Sequence, residues 1–314
     1  MTREKLQQLI NDFSDNSPLN YLSEKGFHTD TDEDNYAKNN MYKTPGTDFK
    51  DDMLGADEES GLVGMRFYLH PIFSVARADD PMFEDIKRPE VVGQHHLNPK
   101  DWLSDAKSVI TFFLPFNHDT VEANKKDPEI PALEWVCTRV DGQRFLLALG
   151  SAVKKALVAE GFKAVAPYTE DNYIMQVSTV PTPGTEHVPP FSTNWSERHV
   201  GVVTGLGTFG QSTNFISKIG CAGRLISVVT DWEIEPDERE YGSDWLGYCN
   251  DCGLCIKKCK GNAYFSDRHG KNHELCGLQI RKVCETLAPR YGCGKCQSGI
   301  PCEYKALPKK HSNL

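Results

Sequence analysis

Cys249-Asn250-Asp251-Cys252-Gly253-Leu254-Cys255-Ile256-Lys257-Lys258-Cys259 is the stretch that decides how the rest of the chain is read. Its spacing, C-x2-C-x2-C-x3-C, is that of a [4Fe–4S] ligand run. Three thiolates two residues apart can turn around one cubane while the fourth points away from it. Where two clusters share a chain, that fourth cysteine ligates the other cluster, so the run predicts a second set. Cys276, Cys293, Cys296 and Cys302 supply it. The crossed assignment puts Cys249, Cys252, Cys255 and Cys302 on one cluster and Cys259, Cys276, Cys293 and Cys296 on the other. Zinc sites take two cysteine pairs with a longer gap between them, which this spacing fits poorly. A disulfide framework belongs to secreted chains, and here no signal-peptide h-region opens the sequence and the cysteines crowd one end. Lys260 follows Cys259 where such runs commonly carry proline, a turn residue and not a ligand.

Working outward, the 314 residues suggest roughly two domains. A hydrophobic share of 39% beside 25% charged residues is ordinary for a water-soluble globular chain. No apolar run approaches the ~18–20 residues that span a bilayer, so no membrane partner is expected and the cytoplasm is the expected location. The formal net charge of −9 argues against nucleic acid, whose binders carry a basic footprint. The basic tail of Lys305, Lys309, Lys310 and His311 is short. Of the 11 cysteines, eight are taken as ligands, which leaves Cys137, Cys221 and Cys284. Each reads as a small buried hydrophobe.

Along the chain, residues 3–13 predict a helix with Leu6, Leu9, Ile10 and Phe13 on one face. Residues 28–60 hold ten acids against three lysines and read as an acidic, partly disordered arm. A folded region is expected over 61–240. Residues 65–69 and 72–76 alternate like strands, and a short helix follows Pro81 through Ile86. Residues 106–116 read as a buried central strand and 143–160 as the strongest helix, stopped by Gly161. A strand over 163–167 follows, then a Pro- and Thr-rich loop over 178–193. Asn194-Trp195-Ser196-Glu197 carries a capping-box pattern before a helix running to about Thr204. Gly205-Leu206-Gly207-Thr208-Phe209-Gly210 matches G-x-G-x-x-G, but a helix precedes it and an extended segment over 214–217 follows. That is the reverse of a dinucleotide-binding turn. Arg224 to Thr230 reads as another strand, and the polar run after Pro236 places a boundary near residue 240, with a cysteine domain over 241–314.

The order of these features, with Glu197-Arg198 before the glycine block and cysteines soon after, resembles epoxyqueuosine reductase. It is similar, more distantly, to the cobalamin-dependent reductive dehalogenases, and most of all to their short, stand-alone iron–sulfur members. The resemblance implies an α/β (α+β) domain like the cobalamin-binding, nitroreductase-like domain of epoxyqueuosine reductase, followed by a two-cluster ferredoxin-like domain. It further implies a corrinoid lying against Glu197, Arg198, Gly205, Gly207, Gly210, Gln211 and Ser212. The reductase's catalytic aspartate position is Phe191 here, its Asp-Tyr-His element reads Asp141-Gly142-Gln143, and its lysine after the glycines is Gln211. The chain also ends twelve residues past Cys302, without a helical-repeat extension. These differences argue against a tRNA substrate.

Reduction also needs a proton. Tyr168, Glu170, Asp171 and Tyr173 cluster after the strand at 163–167, His187 lies in the Pro-rich loop and His199 follows Arg198. His199, Tyr173 and Asp171 are the candidate catalytic residues. The expected function is an iron–sulfur oxidoreductase that draws on an external low-potential donor of ferredoxin or flavodoxin type and reduces a small molecule. The alternative is an accessory electron-transfer protein whose N-terminal region docks a partner.

Overall fold

In the computed structural model, residues 1–23, 60–177, 179–265, 270–287 and 290–307 are described. Nearly all of the acidic stretch read at 28–60, and Lys309, Lys310 and His311, lie outside the described residues. Helix α1 (Arg3–Asn16) starts at Thr2, whose hydroxyl accepts the Lys5 N–H at 3.2 Å, and it buries Leu6 and Ile10. Phe13, on its flank, stacks on Phe145 at 5.5 Å between centroids.

The body is built on a four-stranded sheet of β1 (Ile72–Arg77), β2 (Ser108–Pro115), β6 (Gly223–Thr230) and β3 (Ala164–Val165), in that spatial order. Every pairing is antiparallel, with Ile110 opposite Val228 and Val165 opposite Val229. The fold is therefore α+β, not a parallel α/β layer. All eight residues of β2 are buried, as expected of a central strand covered on both faces. Helix α6 (Gln143–Ala159) packs on β6 and β3 through Phe145, Leu146, Leu149, Val153 and Leu157. It stops where Gly161, at φ +90°, lets Phe162 N–H return to the Leu157 carbonyl at 3.0 Å. Two short helices that the periodicity did not reveal, α4 (His118–Lys126) and α5 (Leu133–Val140), follow β2.

Two local expectations are corrected. Residues 65–69 form isolated bridges, Arg66 with Tyr21 and Tyr68 with Phe116, because the chain there crosses between segments without a continuous ladder. The capping box at Asn194–Glu197 does not form. Helix α7 (Glu197–Val203) begins after Ser196, and the Asn194 side chain serves instead the Ile174 N–H (2.9 Å) and the Asn172 carbonyl (2.8 Å). The capping box lies elsewhere, between Asn98 and Asp101 at α3 (Pro99–Trp102).

Candidate metal centre

The cysteine run is a sequence of tight turns. Asp251 and Gly253 take φ of +55° and +70°, and Cys255 falls within the one-turn helix α8 (Leu254–Lys257). Cys249, Cys252, Cys255 and Cys302 all line one cleft, together with Gly210, Gln211, Ser212, Cys221 and Tyr248. The cleft encloses about 390 Å³ of empty space, part of it open to solvent. Cys259 is not on its wall. Cys252 is exposed and the other three thiols are partly buried.

Burial pushes the Cys255 thiol up to about 11, opposed by the Ser212 hydroxyl beside it. Burial likewise raises Cys249, opposed by backbone N–H groups of Asp251 and Gln211. Cys302 is shifted the other way, first by a hydrogen bond from Cys221. The remaining four cysteines act on one another, and Cys296 is also felt by Cys255. Cys276 is raised by burial and by the neighbouring Cys296 and Cys259, and Lys271 and Arg198 pull it down. Burial takes Cys293 to about 11, with Cys296 and Cys276 adding to it. The Tyr264 hydroxyl faces Cys296, and Ala263 N–H reaches Cys259 Sγ at 3.4 Å. Cys276 and Cys284 are carried by α9 (His273–Leu287). Among the described residues, no three His, Cys, Asp or Glu side chains close on a point where a single metal ion would sit. A cubane instead spreads its thiolates over separate corners. Two gatherings of four thiols, with N–H and O–H donors aimed at sulfur, fit iron–sulfur clusters.

The C-terminal cysteines are held to the body by buried polar contacts. Arg290 forks onto Asp141 (2.7 and 3.1 Å), and Lys295 Nζ caps the Asn124 and Asp127 carbonyls at 2.7 and 2.6 Å. Asn214 donates to the Cys296 carbonyl at 2.9 Å. Gly294, at φ +68°, lies so close to Trp135 that a Cβ would sit 1.9 Å from its ring.

The residues read for a corrinoid have other employment. A Cβ on Gly207 would fall 2.2 Å from the Ile216 carbonyl oxygen, because β4 (Gly207–Phe209) and β5 (Phe215–Ser217) close a tight hairpin. Gly205 turns the chain at φ +85° against Arg239 and Glu238, and Gly210 packs on Ile216. Gln211 and Ser212 serve Cys249 and Cys255. Arg198 donates to the Thr213 carbonyl at 3.4 Å and feels the charge of Cys296. The described contacts of this set are thus with the chain itself, apart from the buried Oε1 of Gln211, which meets no partner among the described residues.

The three catalytic candidates are not brought together. Asp171 is exposed. His199 binds Ser196 Oγ at 2.7 Å and lies against Phe209 and Trp245; burial pulls it down to about 3, so it is neutral at ordinary pH and no acid. Tyr173 is buried and meets Tyr168 edge-on at 4.7 Å, its ionisation raised by burial. The acid that the sequence reading filed elsewhere is Glu197. Both of its carboxyl oxygens are shut off from solvent with no hydrogen-bond partner among the described residues. Burial raises it to about 7, opposed by the nearby hydroxyl and N–H of Ser227, which fall short of hydrogen-bond geometry to either oxygen. Its charge is felt by both Tyr168 and Tyr173.

No protein-family model and no curated protein matches the chain. Its structural neighbours are epoxyqueuosine reductases and reductive dehalogenases, the groups that the motifs resemble. The epoxyqueuosine reductase of Streptococcus thermophilus is 19% identical with a TM-score of 0.44, over 76% of this chain and 64% of that one. A catabolic reductive dehalogenase in complex with 3-bromo-4-hydroxybenzoic acid is 14% identical with a TM-score of 0.48, over 75% and 30%. An epoxyqueuosine reductase with a tRNA-Tyr stem loop is 16% identical with a TM-score of 0.44, over 75% and 62%. The chain spans less than two thirds of each, and no residue role is carried across. No described helix is long and apolar enough to cross a membrane.

Proposed function

We propose that this chain is an iron–sulfur oxidoreductase that takes electrons from an external low-potential donor and reduces a small molecule. The observation that carries the reading is the cleft whose wall brings Cys302 to Cys249, Cys252 and Cys255 across the length of the cysteine region. Those four thiols would hold one [4Fe–4S] cluster, and Cys259, Cys276, Cys293 and Cys296 a second. When bound, such clusters supply one-electron reducing chemistry. The protein's own part is to hold the thiolates, aim donors at them and manage a proton. Ser212 and the Gln211 N–H stabilise thiolate at Cys255 and Cys249, and Arg198 and Lys271 do so at Cys276. Glu197, with an ionisation near neutrality, is the described acid best poised to hold a proton and give it up at working pH.

A second reading, an accessory electron-transfer protein, is favoured by Phe191, which stacks on His273 at 5.2 Å at the position where the sequence resemblance implies an acid. The test is anaerobic reconstitution followed by iron, sulfide and EPR measurements on the wild type, Cys302→Ser and Cys276→Ser. About eight irons are expected in the wild type, with each variant losing a different cluster signal. A value near four irons, or loss of the same signal in both variants, overturns the crossed assignment. Substrate-free turnover with a strong artificial donor, and no small-molecule reduction across a panel, would favour the accessory reading. Cobalamin added to the protein should elute free from a desalting column.

A further inference from the structure

Cys221 belongs to neither set of four and read from the sequence as filler. It is 1% exposed, and its Sγ lies 4.0 Å from Cys302 Sγ on the wall of the same cleft. The residue is clamped in place: its N–H donates to the Cys302 carbonyl at 2.9 Å, and its own carbonyl accepts from Gln297 Nε2 at 2.8 Å. Gly220, at φ +101°, brings the chain so near the C-terminal segment that a Cβ there would lie 2.1 Å from the Glu303 carbonyl oxygen. The backbone on both sides of the thiol pair is therefore held in place, and the Cys221 side chain is buried.

With both thiols protonated, the Cys221 S–H donates to the Gln297 carbonyl at 3.8 Å and the Cys302 thiol donates to the Cys221 sulfur at 4.0 Å. A cysteine that ligates metal is a thiolate, so Cys302 can only accept, and an ionised sulfur is a stronger acceptor than an amide carbonyl. We propose that Cys221 is a redox-tuning residue that donates an S–H···S hydrogen bond to Cys302 and so raises the reduction potential at the first set. This rests on the reading that Cys302 is a cluster ligand. The sign follows from charge: added electron density on the sulfurs strengthens a hydrogen bond to them, so a fixed donor favours the reduced state. Cys221 acts through Cys302 and is a positioning residue, not a ligand.

The test compares anaerobic holoprotein of the wild type, Cys221→Ser and Cys221→Ala by EPR-monitored potentiometry, with iron content measured on each sample. Cys221→Ala should keep the wild-type iron count and shift the reduction equilibrium of one cluster by about tenfold toward the oxidised state, about 59 mV for one electron. Cys221→Ser keeps a donor and should fall between the two. The potential of the other cluster should not move. Unchanged potentials at full iron content overturn the proposal. Loss of one cluster in both variants also overturns it, since Cys221 would then be a ligand or a packing element. The underlying reading fails separately, when Cys302→Ser retains both clusters.

Discussion

Replacing Glu197 by glutamine tests whether an acid with no hydrogen-bond partner among the described residues really sits beneath α7. The carboxyl is raised from 4.5 to about 7, chiefly by burial. A group that binds its proton more tightly folded than unfolded costs stability wherever the folded chain must ionise it. Here the cost is absent below about pH 4, grows through the interval between 4.5 and about 7, and is constant above it. At about 1.36 kcal/mol per pH unit the full cost is about 3 kcal/mol, with under 1 kcal/mol of it present at pH 5. Glutamine has the same shape and does not titrate, so Glu197→Gln should gain on the wild type by about 2 kcal/mol between pH 5 and pH 8. Any fixed penalty of placing an amide beside Ser227 cancels in that comparison. Cluster loss makes unfolding irreversible, but it is common to both proteins, so the assay is the difference in anaerobic urea midpoint at matched pH. Parallel pH profiles for the two proteins would refute the buried, protonatable acid, and with it the proposed proton source.

Gly207→Ala should be severely destabilising, at the upper end of the about 1–3 kcal/mol typical of overpacking or beyond, because the Cβ meets the Ile216 backbone at 2.2 Å. Gly253→Ala, whose Cβ meets only the Gln211 side chain at 4.0 Å, should cost about 1 kcal/mol for its φ of +70°. Equal thermal midpoints for the two would contradict the packing role given to the glycine loop. Arg290→Ala leaves Asp141 buried without its ion partner in a pair whose side chains are 8% and 11% exposed, a loss of about 3–5 kcal/mol. Iron bound at the second set should fall with it, and adding Asp141→Asn should recover part of the stability; full iron retention in the single variant would show that ligation alone holds the C-terminal segment.

Much of this was legible in the chain, for identifiable reasons. The β2 strand and α6 were readable because burial on both faces and a 3.6-residue period leave strong marks on sequence. The two-cluster pattern assigned Cys302 to Cys249, Cys252 and Cys255, and these four residues line one cleft in the structure. In the glycine loop, glycine marks close approach without saying to what, and for Gly207 and Gly210 the described neighbour is the chain's own β5. Asn194 looked like a cap because its side chain suits one, yet the same acceptor and donors fitted a tertiary contact at Asn172 and Ile174 better. Cys221 and Glu197 could not be found at all by local pattern. What matters about each is a neighbour about 30 or more residues away in sequence, Cys302 for one and Ser227 for the other.

The two cysteine sets are not equivalent, and the difference has a direction. Around the first set stand a hydroxyl from Ser212 and N–H groups from Gln211 and Asp251, with the Asp251 carboxylate 3.8 Å from Cys249 Sγ and the Cys221 sulfur 4.0 Å from that of Cys302. One of its thiols, Cys252, opens to solvent. Around the second set stand the cations Arg198, Lys271 and Lys295, with the hydroxyl of Tyr264. Negative charge is held more cheaply beside cations in a partly buried setting than beside dipoles at a solvent edge. The two sets therefore differ in solvent access and in the charge around their thiols. Arg198 follows Glu197 directly in α7, so one short helix sets the residue that favours charge at the second set next to the residue that keeps a proton near neutrality. Through Arg198 and its Cys296 neighbour, α7 ties the body to the cysteine region.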